Sequence, residues 1–433
     1  SRVIDILLLL ALTGLMQAAR SFDTVGGGGA ELAFGFLLLA AFFAARIGGR
    51  IGLPKLTGYI LVGVIAGLYV LDLVSKETAI SLDIVNGTAT CILGLSAGGE
   101  LDLKRVKPLL QTLRAITVFG VLAAMVVLAV ILFVLQPMLP MFSNTTLMQT
   151  LAICAVVAVA LSAQSPAVVM ALLAETRADG PLSRIILATV VVADLVVIVV
   201  YSIVAAVAGA LIGGGIDIGE TMMSIGWELF GSMAFGVVIG VLIARYIISV
   251  NNGNALFALL VCVVVAEIGS RVHLDPLVVM LAAGVWLKNF SRANASALLH
   301  SFEAAELPVF LVFFSLAGCK LDLGSLAAMV VPVVLVAAAR ATVFFFGCRL
   351  ACRRTAADPT VTRYGWTGLV PQAGLSLALV VVIQKNFPSF GAPAAVLLLS
   401  VVALNQLFAP VLLRLSLLRS GEAGKRDVHA FAN

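Results

Sequence analysis

The chain has 433 residues, 62% of them hydrophobic and only 11% charged, with a mean hydropathy of +1.15. That is too little polar side chain to coat a soluble globule of this size, so the sequence reads as an integral membrane protein. The formal net charge of +5 does not point to nucleic acid, because no basic, aromatic-bearing surface stretch is present and basic residues in such a chain set topology.

A helix needs about twenty residues to cross roughly 30 Å of hydrocarbon. In chain order, such spans are expected at 4–18, 30–49, 54–73, 80–98, 112–136, 148–173, 183–212, 222–246, 255–270, 274–290, 306–320, 324–350, 364–384 and 393–416. The expected fold class is an all-α polytopic membrane protein of about 13–14 transmembrane helices. It occupies residues 1–418 and leaves a polar, basic cytoplasmic tail at 419–433. The first segment lacks a basic n-region and a small-residue cleavage site, so it reads as a span and not as a cleavable signal.

The distribution of Lys and Arg tests this threading, because cytoplasmic loops hold the basic excess. With the N-terminus inside, only Arg20, Lys76, Arg271, Lys320 and Lys385 of the 27 basic residues fall outside, and Arg340 lies within a span. Both termini are therefore expected in the cytoplasm, and a bacterial inner membrane is the expected location.

Several chemistries are excluded. His273, His300 and His429 fall in loops or the tail, which leaves no histidine at depth for an intramembrane hydrolase or metalloprotease. Phosphate-binding and dinucleotide glycine patterns are absent, and the Gly26–Gly29 run reads as a loop. No enzyme activity, cofactor or resident metal is expected. The six cysteines lie in or beside apolar segments and read as structural and reduced, including the i, i+4 pair Cys348 and Cys352.

An internal echo joins Ala97-Gly-Gly-Glu-Leu-Asp-Leu103 to Ala317-Gly-Cys-Lys-Leu-Asp-Leu323. A fainter one joins Leu61-Val-Gly-Val64 to Ala282-Ala-Gly-Val285. The longer copies face opposite sides of the membrane on this threading, as in the inverted repeats of secondary transporters.

Asp194 is the one formal charge between Arg184 and Asp217, in a stretch of otherwise uncharged, apolar residues. A carboxylate near the bilayer centre costs roughly 3 kcal/mol on insertion scales, so it persists only beside a cavity, a partner or an ion path. Arg340 is equally deep in the span 324–350; its guanidinium is expected either to pair with a carboxylate or to hold a broken helix end. Two spans carry breakers: Ser162-Ala-Gln164-Ser165-Pro166 and Pro371-Gln372-Ala-Gly374. Each proline is expected to open its helix and free backbone groups that can meet a cation or a charge, or else simply to kink it. Glu267 with Arg271 reads as an i, i+4 pair at a helix end, and Asp5, Glu31, Asp83, Glu228, Glu303 and Glu306 are expected to reach water.

Three ordered motifs carry a family resemblance: Leu53-Pro-Lys-Leu-Thr-Gly-Tyr through Gly67, Gly94-Leu-Ser-Ala-Gly-Gly-Glu-Leu-Asp102, and Leu311-Val-Phe-Phe-Ser-Leu-Ala-Gly-Cys-Lys-Leu-Asp322. With the mid-helix Asp and Arg, they resemble the cation/proton antiporter superfamily, especially its bacterial sodium/proton exchangers and Kef-type potassium efflux proteins. The resemblance implies a homodimer with dimerisation helices and a core of crossed, unwound helices that moves like an elevator. It implies that Asp194 binds proton and cation in turn, with Gln164 and Ser165 at the first crossing, Gln372 at the second and Arg340 as the basic residue of a neighbouring core helix.

The expected function is electroneutral exchange of a monovalent cation, sodium or potassium, for protons. Ser162, Gln164, Ser165 and Asp194 are the expected ion-binding residues; Arg340 and Gln372 compensate charge. The family usually has Asp, Asn or Gln before the aspartate, where this chain has Ala193, leaving one titratable acid. Two alternatives stand: a regulatory, non-transporting module with a permanent Asp194–Arg340 ion pair, and a sodium-coupled symporter for an organic anion.

Overall fold

The computed structural model describes residues 2–425 apart from 23–28, 51, 68, 144, 213–222, 224, 225, 251–253, 292–294 and 320–328. All regular elements among them are helical, as lipid demands, because a helix satisfies its own backbone N–H and C=O groups. Among the described residues, eight helical segments are long and apolar enough to cross a membrane, and shorter apolar helices such as Lys55–Ala66 and Pro276–Asn289 accompany them. The span expected at 222–246 becomes a helix at Ser232–Ser249, and that expected at 324–350 becomes Val330–Arg354.

One compact unit comprises Ser1–Glu100 and Ser232–Leu321. Within it, Lys55–Ala66 packs on Ala295–Cys319, and Asp83–Glu100 packs on Pro276–Asn289. Glycines let these backbones touch, as at many helix crossings in membranes. A methyl group on Gly318 would collide with the carbonyl of Ile60 and crowd Val64; one on Gly98 would collide with the carbonyl of Leu281 and crowd Val285. Gly63 meets Ser315 and Cys319 in the same way as Gly284 meets Leu95 and Gly99. Along the sequence echo, each of these partners is the counterpart of the other. The two crossings are thus one interaction built twice, with each half of the chain supplying one helix to each. The Lys320-Leu-Asp-Leu323 end of the echo lies outside the described residues.

Asp5 departs from expectation. It is 4% exposed and pairs with Arg50 at 2.7 Å instead of reaching water. Glu267 and Arg271 form the expected exposed i, i+4 pair, at 2.6 Å.

The second unit comprises Leu101–Gly231 and Asp322–Asp427. At its centre is Leu147–Ser162, begun by a reciprocal capping box between Thr146 and Gln149. It packs against Lys107–Val134, Pro181–Ile212 and Gly391–Arg419. The tail expected from 419 does not stand free at its start: Gly421 and Gly424 take φ of 73° and 75°, and Glu422 turns inward to 2% exposure. Residues 426–433 lie outside the described part.

Candidate ion-binding site

Both breakers open their helices, and both breaks lie in the second unit. The first helix stops at Ser162, Ala163 to Ser165 are extended, and Pro166 begins Pro166–Thr176 at its first position. Proline fits there because that N–H would lack an intrahelical acceptor in any case. Ser165 Oγ caps the new helix by accepting from Val168 N at 3.2 Å, and Ser162 Oγ donates to Val159 O at 2.7 Å. In the second break, a 3₁₀ turn over Gly365–Leu369 gives way to non-helical Pro371 to Ala373 before Gly374–Asn386.

A break leaves carbonyls without helical donors, and in an apolar interior each costs about 1–3 kcal/mol unless paired. Arg340, on Val330–Arg354 and fully buried, pairs them. Its Nε donates to Leu161 O at 2.7 Å and its Nη2 to Ala163 O at 2.7 Å. Nη1 donates to Val370 O at 2.6 Å, and Nη2 also reaches Leu369 O at 3.1 Å. One planar fork therefore fastens both breaks and places its positive charge at the negative end of Leu147–Ser162. The ring of Phe344, one turn on, lies 4.7 Å from the guanidinium carbon. Of the two roles expected for Arg340, holding broken helix ends is the one these four carbonyl contacts build.

Gln372 ties the breaks a second time. Its Nε2 donates to Leu161 O at 2.9 Å and more weakly to Ser376 Oγ at 3.4 Å, while its Oε1 accepts from Asn405 Nδ2 at 2.6 Å. Gln164 donates through Nε2 to Ser162 O. Side-chain donors thus already occupy the carbonyls of Leu161, Ser162 and Ala163. The Oε1 of Gln164 is different: it is buried and has no hydrogen-bond partner among the described residues.

Asp194 lies in the middle of Pro181–Ile212, about 20 Å from the start at 1.5 Å per residue. It is half-buried, Ala193 is fully buried, and the helix packs along Leu147–Ser162, which ends in the first break.

The sequence profile described as "Sodium/hydrogen exchanger, transmembrane" matches residues 37–417. The chain belongs to this sodium/hydrogen exchanger family. It is an integral membrane protein of a transporter family, and cation/proton exchange is the activity the family supports. Solved structures share the fold. That of the sodium proton antiporter MjNhaP1 from Methanocaldococcus jannaschii at pH 8 is 15% identical, with a TM-score of 0.64 over 93% of this chain and 99% of that one. A map of MjNhaP1 from electron microscopy gives 15% identity and a TM-score of 0.66 over 90% and 95%. No curated protein matches the sequence.

Two features around this candidate site were not anticipated from the sequence. Asn405, which orients the amide of Gln372, stands with Gln406 inside an apolar helix, a polar doublet that could have been flagged. Glu422 accepts hydrogen bonds from Leu182 and Ser183 at the start of the Asp194 helix; nothing in a polar tail sequence marks such a contact.

Proposed function

We propose that the chain is a secondary antiporter that exchanges sodium for protons, with Asp194 binding the two ions in competition. A cation arriving at a carboxylate favours its charged form and expels the proton, so a single acid gives one-for-one, electroneutral exchange. The observation that carries this reading is the use of Arg340: the guanidinium serves four backbone carbonyls, so its charge has a structural task at the two breaks. That weighs against a locked regulatory module.

Gln164 Oε1 is the neutral oxygen best suited to join Asp194 around a dehydrated cation, since it is buried and meets no donor among the described residues. Ser162 and Ser165 stand beside it as supporting groups, and Arg340 with Gln372 hold the crossing together while offsetting its dipoles. Sodium is the first cation to test, because MjNhaP1 is described as a sodium proton antiporter; potassium is the second. The family resemblance further supports a homodimer and elevator-type alternating access.

The test is a proteoliposome pH-gradient assay with sodium, lithium and potassium. Wild-type protein should dissipate the gradient on addition of the transported cation, and Asp194→Asn should abolish the response. Undiminished exchange in Asp194→Asn would overturn the reading.

A further inference from the structure

We infer that Glu422 is a positioning residue for exchange: it sets the Asp194 helix against the first break from outside the membrane-spanning helices. The inference rests on Asp194 being the exchanging acid.

Pro181–Ile212 starts with a proline, so the N–H groups of Leu182 and Ser183 are the first that need acceptors from outside the helix. A local Ser, Thr, Asp or Asn usually supplies one. Here a carboxylate from the far end of the chain does so. Glu422 Oε1 accepts from Leu182 N at 2.7 Å, and Oε2 accepts from Ser183 N at 2.8 Å and from Ser183 Oγ at 2.6 Å. The negative charge sits at the positive end of the helix dipole. The surroundings are shaped for it: any Cβ on Gly180 would run into the Glu422 carboxyl group.

The same strap also grips the half-helix that leaves the first break. Gly424 N donates to Thr176 O at 2.9 Å, and Glu422 O accepts from Asp179 N at 3.2 Å. Thr176 ends Pro166–Thr176, whose other end carries Ser165 and follows Gln164. One short segment therefore fixes two rods at the ends remote from the ion: the rod that bears Asp194 and the rod that begins beside Gln164. A helix transmits an axial shift or rotation along its length, so releasing the Glu422 cap changes the distance between the two proposed ion ligands. An error of about 1 Å in such a pair can cost up to about 100-fold.

A purely structural cap would lower the amount of folded protein and leave the ion affinity of the surviving molecules unchanged. A positioning residue changes affinity in molecules that remain folded. The experiment measures half-saturating sodium and maximal rate separately in proteoliposomes for wild type, Glu422→Gln, Glu422→Ala and Ser183→Ala, with Asp194→Asn alongside. Each rate is normalised to folded protein by size exclusion. Glu422→Ala should raise half-saturating sodium at least about fivefold, Glu422→Gln by less because one acceptor oxygen remains, and Ser183→Ala least. Should Glu422→Ala fail to fold, the two milder variants carry the same ordered prediction. Wild-type half-saturation in the folded Glu422 variants, with exchange still dependent on Asp194, overturns the positioning role alone. Persistent exchange in Asp194→Asn overturns the assignment of Asp194, and the positioning role with it.

Discussion

Arg340 and Gln372 meet on one atom: the carbonyl oxygen of Leu161 accepts from Arg340 Nε at 2.7 Å and from Gln372 Nε2 at 2.9 Å. Leu161 is one residue from the end of the helix interrupted by the first break, and Gln372 lies in the second. The two interruptions are thus locked to each other through a single acceptor, and Arg340 reaches both from a third helix. A clasp of this kind needs several donors in fixed directions, which a guanidinium has and an ammonium lacks.

Arg340→Lys should therefore destabilise the protein although it keeps the charge. Lysine cannot serve four carbonyls from one buried position, and orphaning even two of them costs about 2–6 kcal/mol. A thermal unfolding measurement in detergent should show a drop of several degrees or an absence of folded protein. Wild-type stability in Arg340→Lys would mean that the carbonyls do not need the fork.

Asn405→Leu removes the donor that fixes the amide of Gln372 and leaves a buried oxygen unpaired, at a cost of about 1–3 kcal/mol. Asn405→Asp should be worse, because a carboxylate would face the amide oxygen of Gln372, which accepts at 2.6 Å in the native chain. The order Asn405 above Leu above Asp in thermal stability is the expected outcome; reversal of the last two would argue that the amide simply turns over.

How much of this could be read in advance differs from residue to residue. Asp194 and Arg340 stood out because a charge in an apolar run has few explanations, and Pro166 and Pro371 marked the breaks because proline removes a helical donor. The partners of Arg340 were hidden, since the carbonyls of Leu161, Ala163, Leu369 and Val370 have no side-chain signature and are selected only by tertiary packing. Asp5 misled, and Glu422 gave no signal, for a related reason. Each sits near a helix end, where water is the ordinary partner, and only the fold supplies Arg50 to one and the start of the Asp194 helix to the other.

The duplicated crossings yield a paired test. Gly98 and Gly318 make the same contact in the two copies, so Gly98→Ala and Gly318→Ala should each overpack a backbone approach at about 1–3 kcal/mol. Their losses of thermal stability should be similar. A large loss for one and none for the other would show that the copies are not equivalent in energy.

Gln164 separates affinity from charge. Gln164→Ala removes a buried neutral oxygen and should raise half-saturating sodium by about 10–100-fold, the equivalent of about 1.5–3 kcal/mol. Gln164→Glu adds a second acid, and exchange should then depend on an imposed membrane potential where wild-type exchange does not. Potential-sensitive exchange in the wild type would contradict a single-acid cycle.

The most direct measurement of the central claim is sodium binding to the purified protein across pH, with the protons released on binding counted in the same titration. If Asp194 holds either ion but never both, about one proton should leave per sodium bound on the acid side of its titration, and the apparent dissociation constant should rise about tenfold for each pH unit lowered. Both effects should vanish in Asp194→Asn. Sodium binding that is independent of pH, or that persists unchanged in Asp194→Asn, would contradict competition at this carboxylate.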